Sequence, residues 1–413
     1  MARGTAFAPM RETNFRWYFW AQLVNMAGST MAGVALAFAV LEVSDSASAL
    51  GIVLAANSIP MVLFVLFGGV IADRLPRVLL LQVGNAVLTL TQGAVAVLVI
   101  TGTAELWMMV VLEAVNGVTL ALTFPALAAL MPQLVPRGQL QQANVLQSMS
   151  RGALRVLGPT AGALLVVTVG PGWALAVDAL TWAVSALLLA KVTIPARPPV
   201  EQRVSTFEEL REGWTLFAGT TWLWVIVLAF SLLNAIHMGA WFTLGPPLAK
   251  DTIGEEGWGI VLSAESLGLV AMTVVMLRRR LERPLVHGMV AISVVGLSLL
   301  LLGAHPVLLP LVLAAFLAGA GIELFSLGWN LAMQEHISER MLSRAYSYDM
   351  LGSFVAIPIG QLTYGSLGEH FGYRDVLVVS GIAYTAIALS TLASPAVRRL
   401  RRVPSAQADP VSV

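Results

Sequence analysis

A chain of 413 residues is long enough for two soluble domains, but 57% hydrophobic against 11% charged residues leaves too little polar surface to clothe them, and the mean hydropathy is +0.81. The solvent these residues call for is lipid. A net charge of +1 gives no sign of a nucleic-acid partner, and the lack of any cysteine excludes disulfides and thiolate metal sites.

The apolar residues come in runs of about 20, the length a helix rising about 1.5 Å per residue needs to cross a ~30 Å hydrocarbon core. They do not alternate with polar residues as barrel strands would. In chain order the runs predict spans near 17–41, 49–71, 78–101, 105–130, 151–169, 173–194, 222–247, 257–277, 285–303, 306–331, 347–367 and 373–395. The polar first fourteen residues and the lack of a cleavage pattern mark the first run as a retained span. Arg3, Arg11, Arg16, Arg74, Arg77, Arg137, Arg197, Arg203, Arg211, Arg278 to Arg280, Arg283, Arg340, Arg344 and the cluster from Arg398 to Arg402 all fall on one side of these spans. Lys250 and Arg374 fall on the other. The positive-inside rule then places both termini in the cytoplasm of a bacterial-type inner membrane and requires an even number of spans.

Between the sixth and seventh spans, Pro195, Pro198 and Pro199 precede a charged stretch carrying Phe207, Leu210, Trp214 and Phe217, the pattern of a surface-lying amphipathic helix. An offset of about 202 residues relates the two sides of this linker. It aligns Met131, Gln133, Leu140 and Ala143 with Met333, Glu335, Leu342 and Ala345. The expected fold is therefore an all-α polytopic membrane protein of twelve transmembrane helices in two pseudo-symmetric six-helix bundles. Residues 1–194 and 222–395 form the bundles, 195–221 a cytoplasmic linker, and 396–413 a basic tail.

Within the spans, ionisable groups stand out, because a carboxylate at bilayer depth costs on the order of 3 kcal/mol even on the lenient insertion scale. Glu113, Glu265 and Glu323 are read either as proton-binding carboxylates or as neutral, hydrogen-bonded structural acids, and His237 either as a member of the same relay or as a packing residue. Asp178, in the sixth span, is read as structural. Asn25, Asn57, Asn116, Asn234 and Asn330 either bond a substrate or join helices. The aromatic side chains of Trp241, Phe242, Phe325 and Trp329 either stack on a lipophilic substrate or pack. Arg151 and Arg155, one turn apart, are anchors or a contact for an anionic group.

Two motifs carry a family likeness. At the end of the second span, Gly69 stands four residues before Asp73-Arg74, and Arg77 follows three later. Gly69 permits close helix approach, and Asp73 can pair with an arginine or a helix end. In the fifth span, Gly152 is followed by Gly158-Pro159-Thr160-Ala161-Gly162, which suits a kinked, tightly packed helix. The first resembles the signature of the major facilitator superfamily and the second its antiporter motif. With Phe124-Pro125-Ala126, Pro132-Gln133-Leu134 and Asp178-Ala179-Leu180, the chain looks like the branch that contains the enterobactin exporter and macrolide-efflux proteins. The resemblance implies the major facilitator fold, a conformational latch at Gly69, Asp73, Arg74 and Arg77, and export in exchange for protons, with Gly152, Gly158, Pro159 and Gly162 packing the antiporter helix. Glu113 stands near where many proton-coupled drug exporters carry an arginine, so the usual relay is not expected here.

The only two lysines, Lys191 and Lys250, fit no phosphate-binding glycine loop, which excludes direct use of ATP. The five histidines show no metal spacing and no nucleophile elbow is present, so neither an enzyme nor a cofactor is expected. The expectation is a monomeric transporter in the bilayer. Its partners are protons and a small amphipathic substrate such as a drug, macrolide or siderophore. Import or facilitated passage of a metabolite is the alternative.

Overall fold

The structure, a computed structural model, describes residues 7–74, 76–136, 139–193, 206–276 and 281–402. In chain order the helices are α1 (Thr13–Ser44), α2 (Ala47–Arg74), α3 (Arg77–Ile100), α4 (Leu106–Leu134), α5 (Leu140–Val169), α6 (Pro171–Leu189), α7 (Thr206–Gly219), α8 (Thr221–Ile236), α9 (Gly245–Thr252), α10 (Gly254–Met276), α11 (Pro284–Ile292), α12 (Val295–Ala304), α13 (Leu308–His336), α14 (Glu339–Phe354), α15 (Ala356–Phe371), α16 (Tyr373–Ser390) and α17 (Pro395–Arg399). No strand occurs among the described residues.

Eleven helical segments among the described residues are long and apolar enough to cross a membrane. Only 22–50% of each apolar window is buried within the protein, so the remaining apolar surface must meet lipid. Leu90, Leu187, Leu309 and Val379 are among the large side chains left exposed in this way. The predicted span at 347–367 is the one that misses the criterion, because it is split into α14 and α15, each of 16 residues. Pro358 explains the break: it has no N–H to donate and its ring crowds the carbonyl of Phe354, where α14 stops. Irregularity of another kind interrupts the seventh span, where His237–Leu244 forms a π-helical turn between α8 and α9. Pro246 and Pro247 follow at once and cannot bond back to Phe242 and Thr243, so the wider turn absorbs the lost register.

The sequence repeat reappears as geometry. Helices α4 and α13 both have 29 residues and begin 202 residues apart, at 106 and 308, while α6 and α16 begin at 171 and 373, the same offset. The predicted linker carries α7, and Trp214 and Phe217 on that helix sit against Tyr348 of α14 at ring-centroid distances of 5.9 and 5.8 Å. Residues 195–205 of the linker lie outside the described residues.

Two compact units are present. One comprises Met1–Pro199, Trp241–Ser263 and Gln361–Tyr373; the other Val200–Ala240, Ala264–Gly360 and Arg374–Val413. The first unit thus holds the first six spans together with the arginine-poor ends of spans seven, eight and eleven, where the sequence predicts a division at the linker alone. Its core joins Phe15, Phe19, Leu80, Leu130, Leu134 and Leu189 from four helices. In the second unit α13 packs on α11 and α12, α14 packs on α7 and α8, and Arg402 of the tail pairs with Glu335 at 3.1 Å.

Candidate functional site

Of the acids at bilayer depth, Glu113 on α4 is among the most enclosed, with 2% of its surface exposed. Burial without partners would be prohibitive, and the neighbouring amides supply them. Asn57 of α2 donates from Nδ2 at 2.8 Å, and Asn116, three residues along α4 and so on the same face, donates at 3.1 Å. The Asn116 carbonyl oxygen in turn accepts from the Thr91 hydroxyl of α3. Three helices therefore share one polar chain. Gly117 makes it possible, since a Cβ there would fall 2.0 Å from the Asn57 carbonyl oxygen and push α2 away. Asp178 on α6 is equally buried, at 1%, and accepts from Trp182 Nε1 at 3.3 Å, one turn along its own helix.

Glu265 has a different neighbour. His237 opens the π-helical turn, and its Nε2 lies 3.9 Å from Glu265 Oε1, with 14% and 13% of the two side chains exposed. This is ion-pair range rather than a close hydrogen bond. Glu265 stands midway along α10 where that helix touches α13: a Cβ on Gly319 would fall 1.8 Å from the Glu265 carbonyl. Glu323, one turn further along α13, is half-buried and accepts from the Thr273 hydroxyl of α10 at 2.8 Å.

The aromatic candidates separate. Phe325 stacks on Phe230 at 4.0 Å and on Trp329 at 6.1 Å, and Trp222 meets Trp329 edge-on at 5.7 Å. Trp329 donates from Nε1 to Asp349 at 2.9 Å, Ser353 donates to the other Asp349 oxygen at 3.2 Å, and Asn234 donates to the Ser353 carbonyl at 3.1 Å. Asn330 accepts from Tyr346 at 2.9 Å. Asn234, Phe325, Trp329 and Asn330 thus converge, together with Asp349, an acid the sequence reading does not single out because it stands at the edge of a predicted span. Its one sequence signal is an isolated carboxylate four residues before Ser353 in a helix otherwise turning apolar. Trp241, by contrast, is in the other unit, 1% exposed and packed on Trp258 at 4.9 Å. Asn25 accepts from Ser29 one turn along α1 at 3.2 Å and joins none of these clusters.

The fifth-span motif packs two ways. A Cβ on Gly158 would fall 2.2 Å from the Thr30 hydroxyl oxygen, and one on Gly162 would fall 2.7 Å from the Met31 carbonyl oxygen, so α5 rides against the backbone of α1. On its other side Thr160 donates to Ser263 of α10 from its amide at 3.1 Å and from its hydroxyl at 2.7 Å. Gly152 lies further down α5, half-buried, at the other end of the same motif.

At the arginine-poor end of the same unit, Glu369 of α15 accepts from the Ser46 hydroxyl at 2.6 Å and from the Ser48 amide and hydroxyl at 2.9 and 2.6 Å, capping the start of α2. Partial burial pushes its carboxyl up, but the hydrogen bonds from Ser46 and Ser48 outweigh this and hold it below the ordinary carboxylate value. Gln361 accepts from Ser58 at 2.5 Å, and Lys250 stands 3.7 Å from Asp45. At the opposite end Arg74 closes α2 and Arg77 opens α3; the surroundings of Gly69 and the side chains of Asp73 and Arg74 lie outside the described residues. Among the described residues no group of His, Cys, Asp and Glu is arranged to hold a metal ion.

A polytopic chain, helical throughout its described spans, with eleven segments long and apolar enough to cross a membrane and with acids among them facing amides, a histidine and an aromatic cluster, defines a membrane transporter. A family model described as transmembrane secretion effector matches residues 4–412, and the chain belongs to that family, within the major facilitator superfamily. It is 21% identical over 395 residues to macrolide efflux protein A of Streptococcus pyogenes, covering 93% of this chain and 96% of that one. It is also 24% identical over 397 residues to the enterobactin exporter EntS of Citrobacter koseri, covering 94% of each. The crystal structure of the nucleoside transporter NupG superposes with a TM-score of 0.72 at 14% identity, covering 91% of this chain and 98% of that one, which shows the fold.

Proposed function

We propose that this protein exports a small amphipathic or lipophilic organic compound in exchange for protons, by alternating access between two six-span halves. The observation that carries the coupling is the His237–Glu265 pair. One proton shared by the pair leaves it neutral overall; without that proton a carboxylate stands alone at bilayer depth, at a cost on the order of 3 kcal/mol. A carrier that must close over this site therefore changes its preferred state when the proton leaves, and a ligand with different affinity for the two states exploits that shift. The π-helical turn beside His237 supplies a deformable segment where such a shift is taken up.

Efflux as the direction rests on the similarity to the macrolide and enterobactin exporters over nearly the whole chain. Glu323 serves as a further proton site in this reading, Glu113 as a structural acid held by the Asn57 and Asn116 amides, Asp73, Arg74 and Arg77 as the latch, and the Asn234, Phe325, Trp329 and Asn330 cluster as a wall of the substrate path. The arginine-rich ends face the cytoplasm of the inner membrane, and the transporting unit is the monomer. Cells lacking their own exporters, loaded with lipophilic dyes and macrolides, test the proposal. Efflux that needs both the protein and the pH gradient is expected, whereas accumulation that needs the protein would mean import.

A further inference from the structure

Within the first unit, α1, α4 and α5 enclose a cavity of ≈ 210 Å³ that the function above does not use. One wall is polar and rich in donors: Tyr18 and Gln22 from α1, and Gln147, Ser150 and Arg151 from α5. Apolar side chains also line the cavity, among them Leu23, Met26, Phe124 and Leu127. Gln147 is only 5% exposed, yet its side-chain nitrogen Nε2 has no hydrogen-bond partner. A buried amide left without an acceptor is disfavoured, and such orphans mark places that something else completes. Arg151 stands four residues on, so its guanidinium shares the face of Gln147. Ser150 turns its own hydroxyl back to the Leu146 carbonyl at 3.0 Å, and among the described residues no acidic side chain lines the space.

A cavity with surplus N–H donors, one fixed positive charge and no carboxylate accepts an anion, and planar guanidinium next to a primary amide matches a carboxylate best. The apolar lining accepts the body attached to it. At ≈ 210 Å³ the space is below the range of sites that enclose a whole drug-sized molecule, so it takes the head of a larger one. We infer that this cavity recognises the anionic head of the exported compound, a lipophilic organic carboxylate, with Gln147 and Arg151 binding the head and Leu23, Met26, Phe124 and Leu127 receiving the adjoining apolar part. The inference rests on the transport reading for calling the ligand a substrate; the cavity and its orphan donor stand apart from it.

The test uses the full chain in phosphatidylcholine nanodiscs, following energy transfer from its tryptophans to 1-pyrenebutyrate and, as a neutral twin, to the methyl ester of that acid. The acid is expected to bind saturably and the ester only to partition. Arg151→Gln and Gln147→Glu, the latter matched in size but inverted in charge, are expected to raise the Kd for the acid tenfold or more, while Arg155→Gln, one turn outside the cavity, leaves it unchanged. Equal binding of acid and ester, or an equal loss in Arg155→Gln, would overturn the inference. So would displacement of the acid by phosphatidylglycerol, which would make the cavity a lipid site. Gradient-driven macrolide efflux by a protein that shows no charge-selective binding would sink this inference and leave the transport reading standing; charge-selective binding with no efflux of either compound would do the reverse.

Discussion

Glu113 on α4 and Glu265 on α10 are both acids within apolar spans, one in each compact unit, and the surroundings of the two could hardly differ more. Glu113 is gripped by two amides on two helices, with glycine at 117 to let the backbones close, and its neighbours are regular α-helix. Glu265 faces a histidine at 3.9 Å across a π-helical turn. Amides cannot change charge, so the first site holds one arrangement. Imidazole can, so the second has two. In the proposed mechanism, a buried carboxylate becomes a coupling element through its partner and the compliance of its helix, more than through burial itself.

The largest effect expected from breaking this contrast is at Glu113. Glu113→Leu strands the Asn57 and Asn116 amides in the bilayer core, a loss of about 2–6 kcal/mol for two orphaned donors, and should abolish folded, monodisperse protein by size-exclusion chromatography. Glu113→Gln, which keeps an acceptor, should retain folded protein and at least half of wild-type efflux. Next comes Glu265→Gln, which should leave folding intact but lower gradient-driven efflux tenfold or more; wild-type efflux in this variant, with loss in Glu113→Gln, would invert the roles assigned to the two acids. His237→Asn should be milder, lowering gradient-driven efflux a few-fold without abolishing transport, because Glu265 keeps its carboxyl. The smallest effect belongs to Glu369→Gln. That carboxyl is held low in the capped state, so its contribution is full above the ordinary carboxylate value and fades only as pH falls below it. Near neutral pH the variant should lose part of the cap on α2 and shift thermal unfolding by no more than a few degrees, since the group is largely exposed.

Much of the architecture is legible in the chain because lipid imposes it: long apolar runs become spans, and the 202-residue offset becomes matched helices α4 and α13. Pro358, Pro246 and Pro247 mark the interruptions in spans eleven and seven, yet a hydropathy window reads proline as one more span residue and passes over both. Asn116 as partner of Glu113 follows from helical spacing, but Asn57 is 56 residues away and its approach depends on Gly117, a property of packed backbones. Asp349 escapes for the converse reason, because at the end of a predicted span a carboxylate looks like an interfacial charge until Trp329 is found donating to it. Gln147 carries no sequence signal at all, since only the finished cavity shows that its amide lacks a partner.

The most direct test of the central claim is the proton flux that accompanies macrolide efflux in proteoliposomes, measured with a trapped pH dye for the wild type and for Glu265→Gln. The account predicts that macrolide movement drives a counterflow of protons in the wild type and that the variant moves neither against a gradient. Macrolide export by Glu265→Gln with wild-type proton counterflow would contradict it and return the coupling role to another acid.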